Sequence, residues 1–138
     1  MIVGVPKETF PGERRVALTP SVVDLLERAG LKLVLERGAG EEAGFPDGAY
    51  QTRGVRLADR DQLYRSADVI ARVHAYSPRL DAAAQDLDRL RRDQVLVGFF
   101  DALWAGRQLE EVAARGVLAF ALDLMLRISR TQAMDALS

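Results

Sequence analysis

The hydrophobic residues of this chain fall into short runs separated by stretches of helical periodicity. Ile2–Val5 is an apolar run stopped by Pro6 and predicts a first strand. Thr19-Pro20 opens a helix, with Thr19 at the N-cap and proline at the first helical position. Val22, Val23, Leu25 and Leu26 form its apolar face, and Gly30 ends it. A second strand follows over Leu31–Leu35, then a glycine-rich loop at Arg37–Gly44, then a short helix capped by Asp47 and reaching Arg53. Next come a weak strand near Val55–Leu57, a short helix over Asp59–Ser66 and a strand over Asp68–Val73. Leu80, Ala84, Leu87 and Leu90 recur at helical spacing between Pro78 and Arg92. Val95–Phe99 predicts a buried strand, Gly106–Arg115 a helix and Val117–Leu122 a final strand. Strands alternating with helical segments require right-handed crossovers, so the predicted class is α/β, a mostly parallel sheet flanked by helices.

The totals narrow the picture without changing it. The 138 residues suffice for one domain with one core, and 49% hydrophobic with 28% charged residues is an ordinary globular balance. A net charge of −1 gives no basic field to recruit nucleic acid or an anionic membrane. Only Lys7 and Lys32 of the 19 basic residues are lysines, and the other 17, all arginines, are scattered. With no cysteine, disulfides, thiolate zinc sites and a cysteine nucleophile are excluded. One histidine, His74, makes a histidine-rich metal site improbable, and no metal is expected. The N-terminus is no secretory signal, and no apolar run approaches the roughly 20 residues needed to span a bilayer. A soluble, cytoplasmic chain is expected.

The last stretch is unlike the rest. Ser129 begins a further helix, but only nine residues follow it and neither glycine nor proline terminates them. A helix that short has little independent stability. The expectation is a fragment of a longer protein, or a natural truncation.

Two segments invite a chemical reading. Gly38-Ala39-Gly40-Glu41-Glu42-Ala43 fits the glycine fingerprint of dinucleotide-binding folds in its alanine-ending form, and it follows a predicted strand. That fingerprint works only when a helix N-terminus then aims amides and dipole at a pyrophosphate. Here Gly44, Phe45 and Pro46 follow, and Glu41 and Glu42 stand where phosphates would lie. A structural glycine turn is the better reading. The second segment runs Gly4-Val5-Pro6-Lys7-Glu8-Thr9-Phe10-Pro11-Gly12-Glu13-Arg14-Arg15-Val16-Ala17-Leu18-Thr19-Pro20. It places Lys7, Glu8, Glu13, Arg14 and Arg15 beyond the carboxyl end of a strand, where α/β sheets hold ligands. The alternative is a solvated charged loop.

This second segment resembles the N-terminal signature shared by alanine dehydrogenases and the NAD(H)-binding subunit of proton-translocating transhydrogenases. The resemblance continues co-linearly through Glu36-Arg37-Gly38-Ala39-Gly40, Gly44-Phe45 and Ser66-Ala67-Asp68-Val69-Ile70. It implies a Rossmann-like N-terminal domain, and two features choose the branch. Alanine dehydrogenases hold their keto acid with an arginine matched here by Arg15, a lysine after the strand at 68–73 and a histidine after the strand at 95–99. In this chain the lysine position is His74, and Phe99-Phe100-Asp101-Ala102-Leu103-Trp104 contains no histidine. Aspartate replaces neither a permanent cation nor a mobile proton against a carboxylate substrate. Arg15 is open to two readings, an ion pair shaping the loop or a ligand contact. A lone His74 at a strand end is most simply a satisfied polar residue, and Phe99, Phe100 and Trp104 are core or dimer-interface aromatics.

The run Leu124–Ser138 is similar to a transhydrogenase hallmark in which an arginine, a glutamine and an aspartate embrace the nicotinamide and its ribose. By motif position these are Arg127, Gln132 and Asp135, with Ser138 near the carboxamide; Leu126 stands where the family has proline. Arginine offers a planar charged donor fork, glutamine both donors and an acceptor, aspartate an acceptor. Hydride transfer between two nicotinamides is a positioning problem, so these residues would bind and orient, and no catalytic acid or base is assigned. The plainer reading is a capping box, Ser129 to Gln132, with Ala133, Met134 and Leu137 as a core stripe. The resemblance further implies NAD(H) as cofactor here, NADP(H) on a partner subunit, and a homodimer. It also implies peripheral attachment at the inner face of the cell membrane through the membrane subunits. The family binds most of its dinucleotide with a downstream Rossmann domain, so this chain alone is expected to bind NAD weakly or not at all. An alanine dehydrogenase domain and a non-catalytic remnant are the alternatives.

Overall fold

The computed structural model describes residues 1–75, 81–100 and 106–122. Among these residues six strands form one sheet: β1 (Ile2–Val5), β2 (Lys32–Glu36), β3 (Arg56–Ala58), β4 (Val69–His74), β5 (Val95–Phe99) and β6 (Leu118–Ala121). Every pairing is parallel and the order is β3-β2-β1-β4-β5-β6. That is the order of doubly wound dinucleotide-binding sheets, in which winding reverses between β1 and β4. The expected mostly parallel sheet is therefore entirely parallel among the described residues, with each strand within two residues of its predicted bounds.

The helices are α1 (Pro20–Arg28), α2 (Asp47–Gln51), α3 (Arg60–Ser66), α4 (Asp81–Arg89) and α5 (Gly106–Ala114). They divide between the two faces. On one face Leu63, Tyr64, Leu87 and Val112 of α3, α4 and α5 pack with Val34, Ile70 and Leu96 of the sheet. On the other, Val23 of α1 and Tyr50 of α2 pack with Val5, Leu33 and Leu35, closed over by Val16 and Leu18 from the loop before α1. This second layer covers β1 to β3. Along β4 and β5 burial alternates, with Ile70, Arg72, Leu96 and Gly98 buried and Val69, Ala71, Val95 and Val97 partly open. The described helices therefore shield only one side of that half of the sheet.

Local chemistry sets the element ends. The chain leaves α1 through a Schellman turn, in which the Gly30 amide donates to the Glu27 carbonyl and the Leu31 amide to that of Leu26. Gly30 has φ +89°, which an L side chain resists. Asp59 and Gln62 close a capping box on α3.

Three expectations need correcting. Thr19 occupies the N-cap of α1 but its side chain caps nothing; the hydroxyl lies 3.1 Å from Ser21 Oγ instead. The apolar face of α1 is narrower than the sequence suggests, since Val22 and Leu25 are exposed and Val23 is fully buried. Asp47 is the first residue of α2 rather than its cap, which is Pro46. Leu80 and the helix predicted from Ser129 lie outside the described residues.

Candidate functional site

The reversal of winding opens a crevice at the carboxyl ends of β1 and β4, and the strap of residues 7–18 lies across it. The β1–β4 ladder pairs Val3 with Val69 and Gly4 with Ile70, so among the described residues the upper part of β4 has no strand beside it on that side. Glu8 takes the vacant place. Its buried carboxylate accepts from the Val73 amide at 3.0 Å and the His74 amide at 2.8 Å.

His74, the last residue of β4, is held by the strap. Its ring stacks on Phe10 with centroids 4.3 Å apart and planes 18° apart, and its Nε2 lies 2.8 Å from Glu13 Oε1. The Glu13 carboxylate is the hub. It also accepts from the Arg15 main-chain amide at 2.9 Å and from Arg15 Nη2 at 2.7 Å, with Nε at 3.0 Å. The hydrogen bonds and charge of Arg15, aided by His74, outweigh burial and hold the Glu13 carboxyl at about 2. Of the two readings of Arg15, the structure realises the ion pair that shapes the loop. Glu13 occupies the Nε–Nη2 edge of its guanidinium as a bidentate partner.

Beneath the strap lies a buried ionic layer that sequence reasoning missed. Asp86 of α4 accepts from Arg60 Nε at 2.7 Å, from Arg60 Nη2, from Arg72 Nη1 at 2.9 Å and from Arg89 Nη1 at 3.1 Å. Burial pushes the Asp86 carboxyl up, but Arg60, with Arg72 and Arg89 behind it, holds it below the usual carboxylate range. Arg60 also bonds Glu36 at the end of β2 and the Lys7 carbonyl, while Arg72 reaches Thr9 Oγ1 at 3.4 Å. The strap is thus pinned at three consecutive residues, 7 to 9. Asp86 sits among alanine, glutamine and aspartate in a helix that reads as solvated, and only its partners from β4 and α3 give it away.

The glycine loop has no cradle to offer. After the 3-10 turn Glu41–Ala43 the chain turns through Gly44 and no α-helix opens. The Gly38 amide donates to Asp47 Oδ1 at 2.9 Å, that of Ala39 to the Glu36 carbonyl at the end of β2, and those of Glu41, Ala43, Gly44 and Phe45 to carbonyls of the loop. Amides satisfied internally cannot grip a pyrophosphate. Gly40 is required by contact: a Cβ there would stand 2.7 Å from Tyr50 Oη and 2.8 Å from the Phe45 carbonyl. Tyr50 in turn donates to the Leu18 carbonyl at 2.6 Å, which locks this loop to the end of the strap.

A cleft of about 520 Å³ runs along the open side of β4 and β5, lined by Val16, Phe45, Val73, Val97 and Phe99 with Arg15 at its rim. Its apolar walls suit packing better than phosphate. Among the described residues there is no cluster of side chains able to hold a metal ion, and no helix long and apolar enough to cross a membrane. Arg127, Gln132, Asp135 and Ser138, the residues expected to face the nicotinamide, lie outside the described residues, as does Trp104.

Comparison with known proteins sharpens the reading. Residues 4–138 match the family model of the alanine dehydrogenase/PNT N-terminal domain. The NAD(P) transhydrogenase subunit alpha of Cereibacter sphaeroides is 41% identical over 139 residues, covering 100% of this chain and 25% of that protein. Alanine dehydrogenase 1 of Staphylococcus aureus is 26% identical over 138 residues, covering 100% of the chain and 35% of that protein. Among solved structures, the transhydrogenase of Sinorhizobium meliloti superposes with a TM-score of 0.83 at 34% identity, covering 99% of this chain and 39% of that one. The chain therefore spans between a quarter and two fifths of the length of these relatives.

Proposed function

The chain belongs to the alanine dehydrogenase/PNT N-terminal domain family, and we propose that it serves there as the N-terminal domain of a transhydrogenase alpha subunit. In this reading the complete enzyme passes hydride between NAD(H), held by this subunit, and NADP(H) on a partner subunit. The transfer is coupled to proton movement through separate membrane subunits, with this subunit a cytoplasmic homodimer at the membrane's inner face.

The observation that carries the reading is the engagement of Glu13. The two groups placed to receive a keto-acid carboxylate, Arg15 and His74, both bond the same internal carboxylate. Glu13 takes the Nε and Nη2 donors of Arg15 and faces Nε2 of His74, so a substrate acid would compete with it at both groups. The higher identity to the transhydrogenase subunit than to the alanine dehydrogenase, 41% against 26%, supports the same choice.

Hydride transfer asks the protein to orient two rings and to keep water out, with no proton moved by a side chain. The crevice between β1 and β4 is where such a sheet receives a dinucleotide. Arg127, Gln132, Asp135 and Ser138 are the residues we assign to hold the nicotinamide end. The glycine loop takes no part, so the pyrophosphate belongs to a domain beyond this one.

The test is an assay of the complete subunit assembled with its partners. NADH-dependent reduction of NADP is expected, with no pyruvate or ammonia from L-alanine. Release of pyruvate from L-alanine would replace this reading with an amino-acid dehydrogenase, and absence of both activities would leave a binding module. Gln132→Ala and Asp135→Ala should each slow hydride transfer at least tenfold; unchanged rates would remove those residues from the site.

A further inference from the structure

Glu8 stands where β4 runs on past its ladder with β1. In a regular strand successive amides point to opposite sides, so two consecutive N–H groups do not meet one acceptor. At the end of β4 they do. The β4–β5 register shifts between Ala71 and His74, and the Val73 and His74 amides both donate to the Glu8 carboxylate. Two successive amides turned to one side form an anion-binding concavity. Here the anion is supplied by the chain itself, from the loop that leaves the neighbouring strand.

That contact fixes more than the loop. The His74 amide that Glu8 holds belongs to the residue whose ring carries Phe10 and Glu13, and Glu13 in turn carries Arg15. We propose that Glu8 is the positioning residue of the crevice. By clamping the Val73 and His74 amides it sets where the His74 ring, and through it Glu13 and Arg15, stand over the end of β4. Nucleotide affinity then depends on Glu8 through the placement of the strap, its own carboxylate being taken up by the Val73 and His74 amides. The last statement rests on the nicotinamide-nucleotide reading above; the clamp itself does not.

The experiment uses the complete subunit with Glu8→Gln, Glu8→Ala, Glu13→Gln and the double variant Glu8→Gln/Glu13→Gln, with Glu42→Gln in the glycine loop as control. NADH binding is titrated by fluorescence, and the His74 ring is followed by proton–carbon NMR. Glu8→Gln should raise the Kd for NADH about tenfold and shift the His74 ring resonances, with Glu42→Gln matching the parent in both. The double variant should bind no more weakly than the weaker single one, because both changes act through His74; effects that multiply would overturn the proposal. Added formate or acetate should return the Glu8→Ala ring signals toward those of the parent, while equal chloride should not, a rescue that general loss of stability does not produce. If the parent subunit fails to bind NADH, the functional reading falls and the ring signals alone decide. His74 resonances unmoved in Glu8→Gln would overturn the clamp.

Discussion

The loops after β1 and β2 leave neighbouring parallel strands at the same height, with Val5 paired to Leu35, yet they are put to opposite uses. The loop after β2 looks like a nucleotide motif and turns in on itself. The amides of Glu41, Ala43 and Gly44 close on carbonyls of the loop and that of Gly38 on Asp47, and Tyr50 fills the space over Gly40. The loop after β1 looks like a run of solvated charge and reaches outward, across the reversal point, to the end of β4. A glycine pattern signals a phosphate site only when its amides remain without partners. A charged loop becomes a site when its charges find main-chain groups that the sheet has left open.

The largest expected effect lies under the strap. Asp86→Ala strips buried Arg72 of its carboxylate and leaves Arg60 with Glu36 alone, and an unpaired buried charge costs about 3–5 kcal/mol. Chemical denaturation should register this as a lowered midpoint, with the strap released; an unchanged midpoint would mean that the loop stands without its ionic floor. Gly40→Ala comes next. Its new methyl group would press on the fixed Phe45 carbonyl, and such overpacking costs roughly 2–3 kcal/mol. If the glycine loop is structural, NADH affinity per folded complete subunit stays unchanged; a selective loss of affinity would restore it as a phosphate cradle.

Asp47→Ala should cost about 1 kcal/mol, since it leaves the Gly38 amide without its acceptor. No measurable loss in thermal melting would show that the loop holds its shape without that bond. The smallest effect is pH-dependent. The Glu13 carboxyl is depressed from 4.5 to about 2 in the folded chain, so its contribution is fully present above about pH 4.5 and is lost as pH falls toward 2. Glu13→Gln, which stands in for the protonated acid, should flatten that part of the acid denaturation curve and lower stability near neutrality by the same amount, a small one because Arg15 is exposed and its pairing is screened. An acid limb identical to that of the parent would put the strap's sensitivity elsewhere.

The fold was legible because its signals are local. Apolar runs such as Val95–Phe99, Pro20 at a helix start and Gly30 at its end each act within a few residues, and all stand where the pattern placed them. The glycine loop was also read correctly, since the helix it would need is absent from the adjacent sequence. The candidate site was legible only as a location. Glu8, Asp86 and Asp47 bond partners 65, 26 and 9 residues away, respectively, and nothing in their immediate neighbours distinguishes them from solvated acids. Val22 and Leu25 mislead for the complementary reason, since a helical stripe fixes which residues share a side but not how far the neighbouring layer extends.

The position of β1 has a consequence for how this domain tolerates change at its start. The first strand of the chain is the middle of the sheet, bonded to β2 on one side and β4 on the other. During synthesis it must wait unpaired until the partner strands, which begin at Lys32 and Val69, have emerged. Deleting even the first five residues would separate the two halves of the sheet rather than trim an edge. An added tag is another matter. Met1 is exposed at the amino end of that strand, on the opposite rim from the strap, so a peptide fused there would extend away from the crevice and leave it clear.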